Sequence, residues 1–291
     1  MLNCQVCESK DFLKIKYPNA NDNLFIDCDV MVCKQCGFGF IDKVIPLEIL
    51  INYYENNYGK VAKRDVFNSV EFYFSNTQRM YKLSRGLSQI NLIKRYIEID
   101  DVSTVLEIGP GLGTFASLLQ SMNNTIEYKV IEYEKQSIEH MNYLGINVFS
   151  SLESIEDDST DLLISSHSLE HYQNFELLKV LKEYKGKLTN GGLLFLEVPL
   201  VNFIREKLNF DREHEPHTLF FTLDAINELF IKLGFEVLFL NSVGDFYHKN
   251  KPLEFFYRIQ DKLIRNHIFA LEYGGNRICA RAVLKKVAEN E

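Results

Sequence analysis

Short apolar runs alternate with segments of helical periodicity from residue 100 to about residue 240. The apolar runs lie at 104–108, 128–132, 146–149, 161–165 and 193–198. Apolar residues recur at helical spacing at 114–121, 135–144, 175–188 and 222–233. Continuous apolar strands that alternate with helices are typical of a parallel sheet covered on both faces. The pattern therefore predicts an α/β fold with a doubly wound, Rossmann-like sheet.

The flanking regions complete a three-part organisation. Strands are predicted at 235–240 and at about 277–286, and a helix at 77–97. An aromatic-rich stretch from Tyr53 to Tyr81 precedes the sheet, and with Arg64 and Arg85 it is interpreted either as core packing or as a cover over a substrate cleft. We predict a zinc ribbon at 1–45, a helical linker or lid at 46–100 and a catalytic domain at 101–291.

Composition narrows the class of protein. The 291 residues include 32 basic and 40 acidic side chains, for a net charge of −8, which argues against a broad nucleic-acid surface. The sequence has neither an apolar run long enough to span a bilayer nor a signal-peptide pattern at its start. We expect a cytoplasmic protein that acts on a small molecule.

Five of the six cysteines lie within the first 36 residues. Cys4 and Cys7 form one CxxC pair, and Cys33 and Cys36 form a second that is followed by Gly37. Two such pairs can present four thiolates to one zinc ion in a closed, structural site. The alternatives are two disulfides or free thiols. We predict a structural zinc ribbon, with Cys28 outside the metal site.

A glycine-rich turn follows the first strand of the predicted sheet. Gly109, Gly111 and Gly113 alternate with other residues, and Glu132 ends the next strand. A strand that leads into such a turn, with a carboxylate after the neighbouring strand, is typical of a nucleoside site. Thr114 stands where a dinucleotide motif has its last glycine. The acidic Glu107 favours a ligand with a cationic amino acid end over a diphosphate.

These residues resemble the class I S-adenosylmethionine-dependent methyltransferases. The resemblance covers residues 103 to about 240, including the segments 161–171 and 188–199. It implies that the glycine turn and Glu107 hold the methionine part and that Glu132 binds both ribose hydroxyls. It also implies that Ser151 and Leu152 flank the adenine.

The whole arrangement also resembles methyltransferases of sugar and glycan biosynthesis that carry an N-terminal zinc ribbon. The match includes both CxxC pairs, the tyrosine-rich stretch and a histidine-containing segment at 214–222. Members that C-methylate nucleotide-linked deoxysugars continue into a further domain, which this sequence does not contain. The resemblance therefore implies a sugar or nucleotide-sugar acceptor, with O-methylation at least as strongly expected as C-methylation.

Three histidines are candidates for the chemistry, because a sugar hydroxyl must lose a proton to become a good nucleophile. His217 is predicted to be the general base and His167 to position the acceptor, with His214 as a further candidate. A second interpretation places a divalent metal ion on His167, Glu170 and His171, completed by His214 or His217. An RNA methyltransferase and a cofactor-binding protein without turnover are the other functions considered. The acceptor atom and the oligomeric state are not predicted.

Overall fold

The structure is a computed structural model that describes residues 3–17, 27–56, 77–201, 203, 217–245 and 276–288. The strands are β1 (Phe12–Lys16), β2 (Asp29–Cys33), β3 (Gly39–Ile41), β4 (Thr104–Ile108), β5 (Glu127–Ile131), β6 (Asn147–Phe149), β7 (Thr160–Ser166), β8 (Leu188–Pro199), β9 (Leu219–Phe220), β10 (Phe235–Asp245) and β11 (Asn276–Lys286). The helices are α1 (Leu47–Asn56), α2 (Thr77–Ile93), α3 (Thr114–Met122), α4 (Lys135–Tyr143), α5 (Leu177–Lys187) and α6 (Leu223–Lys232).

Seven of the described strands form one large sheet in the order β10-β11-β8-β7-β4-β5-β6. Strands β4 to β8 pair in parallel, whereas β11 pairs antiparallel with both β8 and β10. The chain runs outward from β4 to β6 and then returns to β7 on the other side of β4. The order therefore reverses between β4 and β7, and open α/β sheets bind ligands at such a point. The predicted fold class is confirmed.

The central strands are buried on both faces, as their continuous apolar sequences predict. Leu162, Leu163 and Ile164 of β7 have no exposed surface, and Leu194 and Phe195 of β8 have none either. Two apolar clusters pack against the two faces of the sheet, and each takes side chains from β7 and β8. This burial holds the carboxyl ends of the strands in fixed positions at one edge.

The four-stranded small sheet joins the ribbon to the rest of the chain. Its order is β1-β2-β3-β9, and Gly39 and Phe40 of β3 pair antiparallel with Phe220 and Leu219 of β9. Phe38 and Phe40 belong to the same apolar cluster as the residues of α6. The segment predicted as a separate ribbon thus shares a sheet and a core with the large domain. Among the described residues, no helix is long and apolar enough to cross a membrane.

Candidate functional site

The glycine turn at the end of β4 has a backbone that side chains would disturb. Gly109 and Gly113 have φ values of 67° and 62°, in the left-handed region that favours glycine. A Cβ on Gly109 would lie 2.8 Å from Ser168 Oγ, and one on Gly113 would lie 2.4 Å from Met141 Cε. The turn can therefore pass close to its neighbours and leave its own backbone accessible to a ligand at the sheet edge.

Glu132 follows β5 directly, and its carboxylate is fixed by backbone amides. Oε2 accepts a hydrogen bond from Gly111 N at 3.2 Å, and Oε1 accepts from Tyr133 N and Glu134 N at 2.8 and 3.0 Å. Glu134 has a different role, because its carboxylate accepts from Gln136 N and Ser137 N and caps α4. Of the two glutamates, Glu132 is the one whose carboxylate contacts the glycine turn.

Glu107 is a buried carboxyl near the carboxyl end of β4, only 4% exposed. Burial raises its pKa to about 7, and the charge of Glu132 adds to the rise, while a 2.6 Å hydrogen bond from Tyr128 Oη opposes it. A carboxyl with a pKa near neutral pH becomes ionised when a cation approaches, because the positive charge lowers its pKa. Binding of the cationic methionine part next to Glu107 remains a prediction.

The position predicted for the adenine lies after β6, the third strand of the large sheet in chain order. Ser151 is half-buried and precedes a short 3-10 helix at Leu152–Ser154, in which Leu152 is 8% exposed. The carboxyl ends of β4, β5 and β6 lie at one edge because these strands are parallel. Adenine binding by Ser151 and Leu152 remains a prediction.

His167 follows β7 at the same edge, in a strained backbone conformation with φ of 56°. Its Nδ1 lies 3.4 Å from Glu170 Oε1, and its Nε2 lies 3.2 Å from Glu197 Oε1 and 3.6 Å from Cys279 Sγ. Burial and the Arg85 charge lower the pKa of His167, but its contacts with Cys279 and Glu170 outweigh them and the net shift is upward. A protonated ring donates from both nitrogens, which suits positioning better than proton abstraction.

Glu197 is the centre of a buried ionic network that the sequence analysis did not identify. The fully buried carboxylate contacts Arg85 Nη2 at 2.6 Å, Gln89 Nε2 at 3.1 Å and Arg281 Nε. Its pKa falls well below the usual value because the two arginines and His167 outweigh burial. The network joins α2, β8 and β11 to the end of β7. The sequence carries one signal that could have identified this network: Glu197 and Arg281 are charged residues within otherwise apolar strand sequences.

His217 lies near Glu170, facing the same carboxylate oxygen as His167. Its Nε2 is 4.0 Å from Glu170 Oε1, and its ring centroid is 5.1 Å from that of His171. Ligand atoms of Glu170, His171 and His217 all lie within 4.8 Å of one another. His167 forms a separate group with Glu197 and Cys279, although its Nδ1 also lies 3.4 Å from Glu170 Oε1. His214 and Arg64 lie outside the described residues.

The four cysteines predicted to bind zinc converge. Cys4 and Cys36 Sγ atoms are 3.6 Å apart, those of Cys7 and Cys33 are 3.4 Å apart, and all four lie within 4.8 Å. Four thiolates about 2.3 Å from a tetrahedral zinc ion lie about 3.8 Å apart, so the cluster fits this ion. None of the six cysteines forms a disulfide, and Gly37 has the expected positive φ of 76°.

The ribbon contacts the segment that carries His217. Tyr17 Oη donates to His217 O at 3.0 Å, and Ile41 N donates to Thr218 O at 3.0 Å. Thr222 Oγ1 donates to Cys36 O at 2.7 Å and also caps α6 by accepting from Ala225 N. Loss of order at the cysteine cluster would therefore be transmitted to His217.

The strand order, the glycine turn and Glu132 are those of a class I S-adenosylmethionine-dependent methyltransferase. The model of the family described as "Methyltransferase domain" matches residues 76–240, more than half of the chain. The chain belongs to this family and is a methyl-transferring enzyme. The buried Glu107 and the glutamate at the end of β5 fit the cationic amino acid and ribose parts of S-adenosylmethionine. The comparison with curated proteins returned no match.

Solved methyltransferase structures share the fold at low sequence identity. The plantazolicin methyltransferase BpumL in complex with SAH is 13% identical with a TM-score of 0.52, over 82% of this chain and 94% of its own. Coclaurine N-methyltransferase bound to N-methylheliamine and SAH is 14% identical with a TM-score of 0.50, over 82% and 87%. A SAM-dependent methyltransferase from Archaeoglobus fulgidus is 17% identical with a TM-score of 0.50, over 76% and 100%.

Proposed function

We propose that the enzyme transfers a methyl group from S-adenosylmethionine to a hydroxyl of a sugar, a nucleotide sugar or a related glycan precursor. The single observation that carries the choice of oxygen is the cluster of Glu170, His171 and His217. A neutral amine needs no proton removed before it attacks a sulfonium methyl group, whereas a hydroxyl does. A buried carboxylate beside two histidines is suited to that task.

The cluster lies next to the residues that are predicted to hold the cofactor. Glu170 and His171 follow β7, and Ser168 in the same turn donates from Oγ to Ile108 O at the end of β4. The cofactor's methyl group and the acceptor's hydroxyl can therefore meet between the β4 and β7 turns. In methyl transfer, the alignment of two bound reactants for in-line attack contributes a large part of the rate enhancement.

The sugar class rests on the sequence resemblance and on charge. The net charge of −8 is unfavourable for a long polyanion, and the ribbon carries five lysines against six acidic residues over 1–45. We also propose that Cys4, Cys7, Cys33 and Cys36 hold a structural zinc ion. Its four ligands leave no open position, so its contribution is to the order of the ribbon and, through it, of His217.

A direct assay tests this function. The purified protein is incubated with methyl-labelled S-adenosylmethionine and a panel of nucleotide sugars and free sugars, and S-adenosylhomocysteine and labelled product are measured. We expect transfer to at least one sugar, with an ether methyl in the carbon spectrum of the product. A methyl on carbon would indicate C-methylation instead. Transfer only to RNA, or S-adenosylhomocysteine at background with every acceptor, would contradict the proposal.

A further inference from the structure

Glu170 is a buried carboxylate whose negative charge is compensated by the nearby imidazoles of His167, His171 and His217, which lower its pKa despite burial. Its side chain is 1% exposed, and neither oxygen accepts a hydrogen bond from a described residue. The nearest charged partners are His167 Nδ1 at 3.4 Å and His217 Nε2 at 4.0 Å, which are both too long for strong hydrogen bonds. Burial of a carboxylate is costly unless it is hydrogen-bonded, paired or bound to a metal ion.

The backbone around Glu170 holds two imidazoles beside it. Thr218 donates from N and from Oγ1 to Glu170 O, at 2.9 and 3.0 Å, which places the adjacent His217 against the 3-10 turn. His171 lies in that turn, and its ring packs edge-on against Tyr54 at 5.7 Å. The three side chains are therefore fixed by main-chain contacts and packing, as the ligands of a metal site usually are.

The combination of one carboxylate and two imidazoles suits a first-row transition-metal ion, and three protein ligands leave positions open for a substrate. We propose that Glu170, His171 and His217 bind a divalent metal ion of this class that takes the acceptor hydroxyl as a further ligand. Ligand atoms about 2.1 Å from one ion are at most about 4.2 Å apart. The observed atoms lie within 4.8 Å of one another, so the widest pair exceeds this limit by at most about 0.6 Å, which a small contraction on binding removes.

This inference rests on the proposed function and specifies how the hydroxyl is activated. The metal ion lowers the pKa of the bound hydroxyl, which releases its proton to water. The alkoxide oxygen then forms a bond to the sulfonium methyl carbon, and the electrons of the broken carbon–sulfur bond remain on sulfur. The products are the methyl ether, S-adenosylhomocysteine and one proton. His217 is then a metal ligand, which replaces its predicted role as general base.

Cobalt(II) is a suitable probe because it binds nitrogen and oxygen ligands and reports on them by visible absorption. The protein is first loaded with one equivalent of zinc per chain, which the four-thiolate cluster takes, then titrated with Co(II) and followed by absorbance and equilibrium dialysis. We expect one Co(II) per chain with ligand-field bands and without the intense charge-transfer bands of a thiolate site. Glu170→Gln and His171→Gln should each weaken binding by more than about tenfold. The control His140→Gln, on α4, should bind Co(II) as the wild type does.

Calorimetry with S-adenosylmethionine checks that each variant is folded, and two variants are used because the buried Glu170 could be required for folding. Absence of Co(II) binding to the wild type overturns the proposal, as does binding that both substitutions leave unchanged. Methyl transfer to a sugar by a wild-type protein that binds no Co(II) refutes the metal site and leaves the proposed function standing. Co(II) bound at this cluster without transfer to any acceptor supports the site and counts against the function.

Discussion

Replacement of Glu107 by glutamine should stabilise the protein at alkaline pH while it weakens cofactor binding. The fold raises the pKa of this carboxyl from 4.5 to about 7, mainly through burial. The folded chain therefore binds more protons than the unfolded chain between these pH values. The stability that Glu107 contributes is present below the unfolded pKa and is lost as the pH rises to the folded pKa.

The expected magnitude follows from the two pKa values. At about 1.4 kcal/mol per pKa unit, ionisation of Glu107 costs the folded state about 3 kcal/mol above pH 7. Glutamine has nearly the same shape, cannot ionise, and keeps an oxygen that accepts the Tyr128 hydrogen bond. Glu107→Gln should thus gain about 2–3 kcal/mol at about pH 8 and less than about 1 kcal/mol at about pH 5.

Urea unfolding of the wild type and the variant at both pH values measures this difference. Glu153→Gln, at an exposed position, is the control and should change little at either pH. An equal effect of Glu107→Gln at the two pH values, or a loss of stability at the higher one, would refute the reasoning. The same variant should bind S-adenosylmethionine more weakly, because it no longer offers a negative charge to the cationic ligand.

Three further substitutions test separate parts of the structure. Glu134→Ala removes the N-cap of α4 and should lower the unfolding free energy by about 1 kcal/mol in urea titrations, with cofactor affinity retained. Gly113→Ala would place a Cβ 2.4 Å from Met141 Cε on a residue with positive φ. It should therefore lower the free energy of unfolding, measured by thermal unfolding, by about 1–3 kcal/mol. Cys36→Ser should lower the zinc content measured by elemental analysis by one ion per chain, whereas Cys28→Ser should keep that ion. Cys36→Ser should also reduce methyl transfer more than cofactor affinity, since the ribbon supports the His217 segment.

Local patterns predicted most of the large sheet. The strand and helix periods placed its central elements within a few residues, because these strands are buried on both faces and their helices are amphipathic. The glycine turn and Glu132 could also be predicted, since a glycine with positive φ and a carboxylate after a strand are local features.

Features that depend on distant pairing could not be predicted. The pairing of β3 with β9 joins residues about 180 positions apart. Both strands are too short, at three and two residues, to show a clear pattern of apolar and polar positions. The Glu197–Arg281 pair likewise appeared as two isolated charges in apolar sequences until the adjacent strands brought them together. The same kind of distant contact brings His217 to Glu170, beside His167, and no local pattern in the sequence predicted that meeting point.

The most direct test of the central claim is a calorimetric titration of the purified protein with S-adenosylmethionine, with Glu132→Ala in parallel. The account predicts saturable binding of one molecule per chain to the wild type and loss of that binding in Glu132→Ala, while Glu134→Ala still binds. Absence of saturable binding to the wild type, or equal affinity in Glu132→Ala, would contradict the assignment of the glycine turn and Glu132 as the cofactor site.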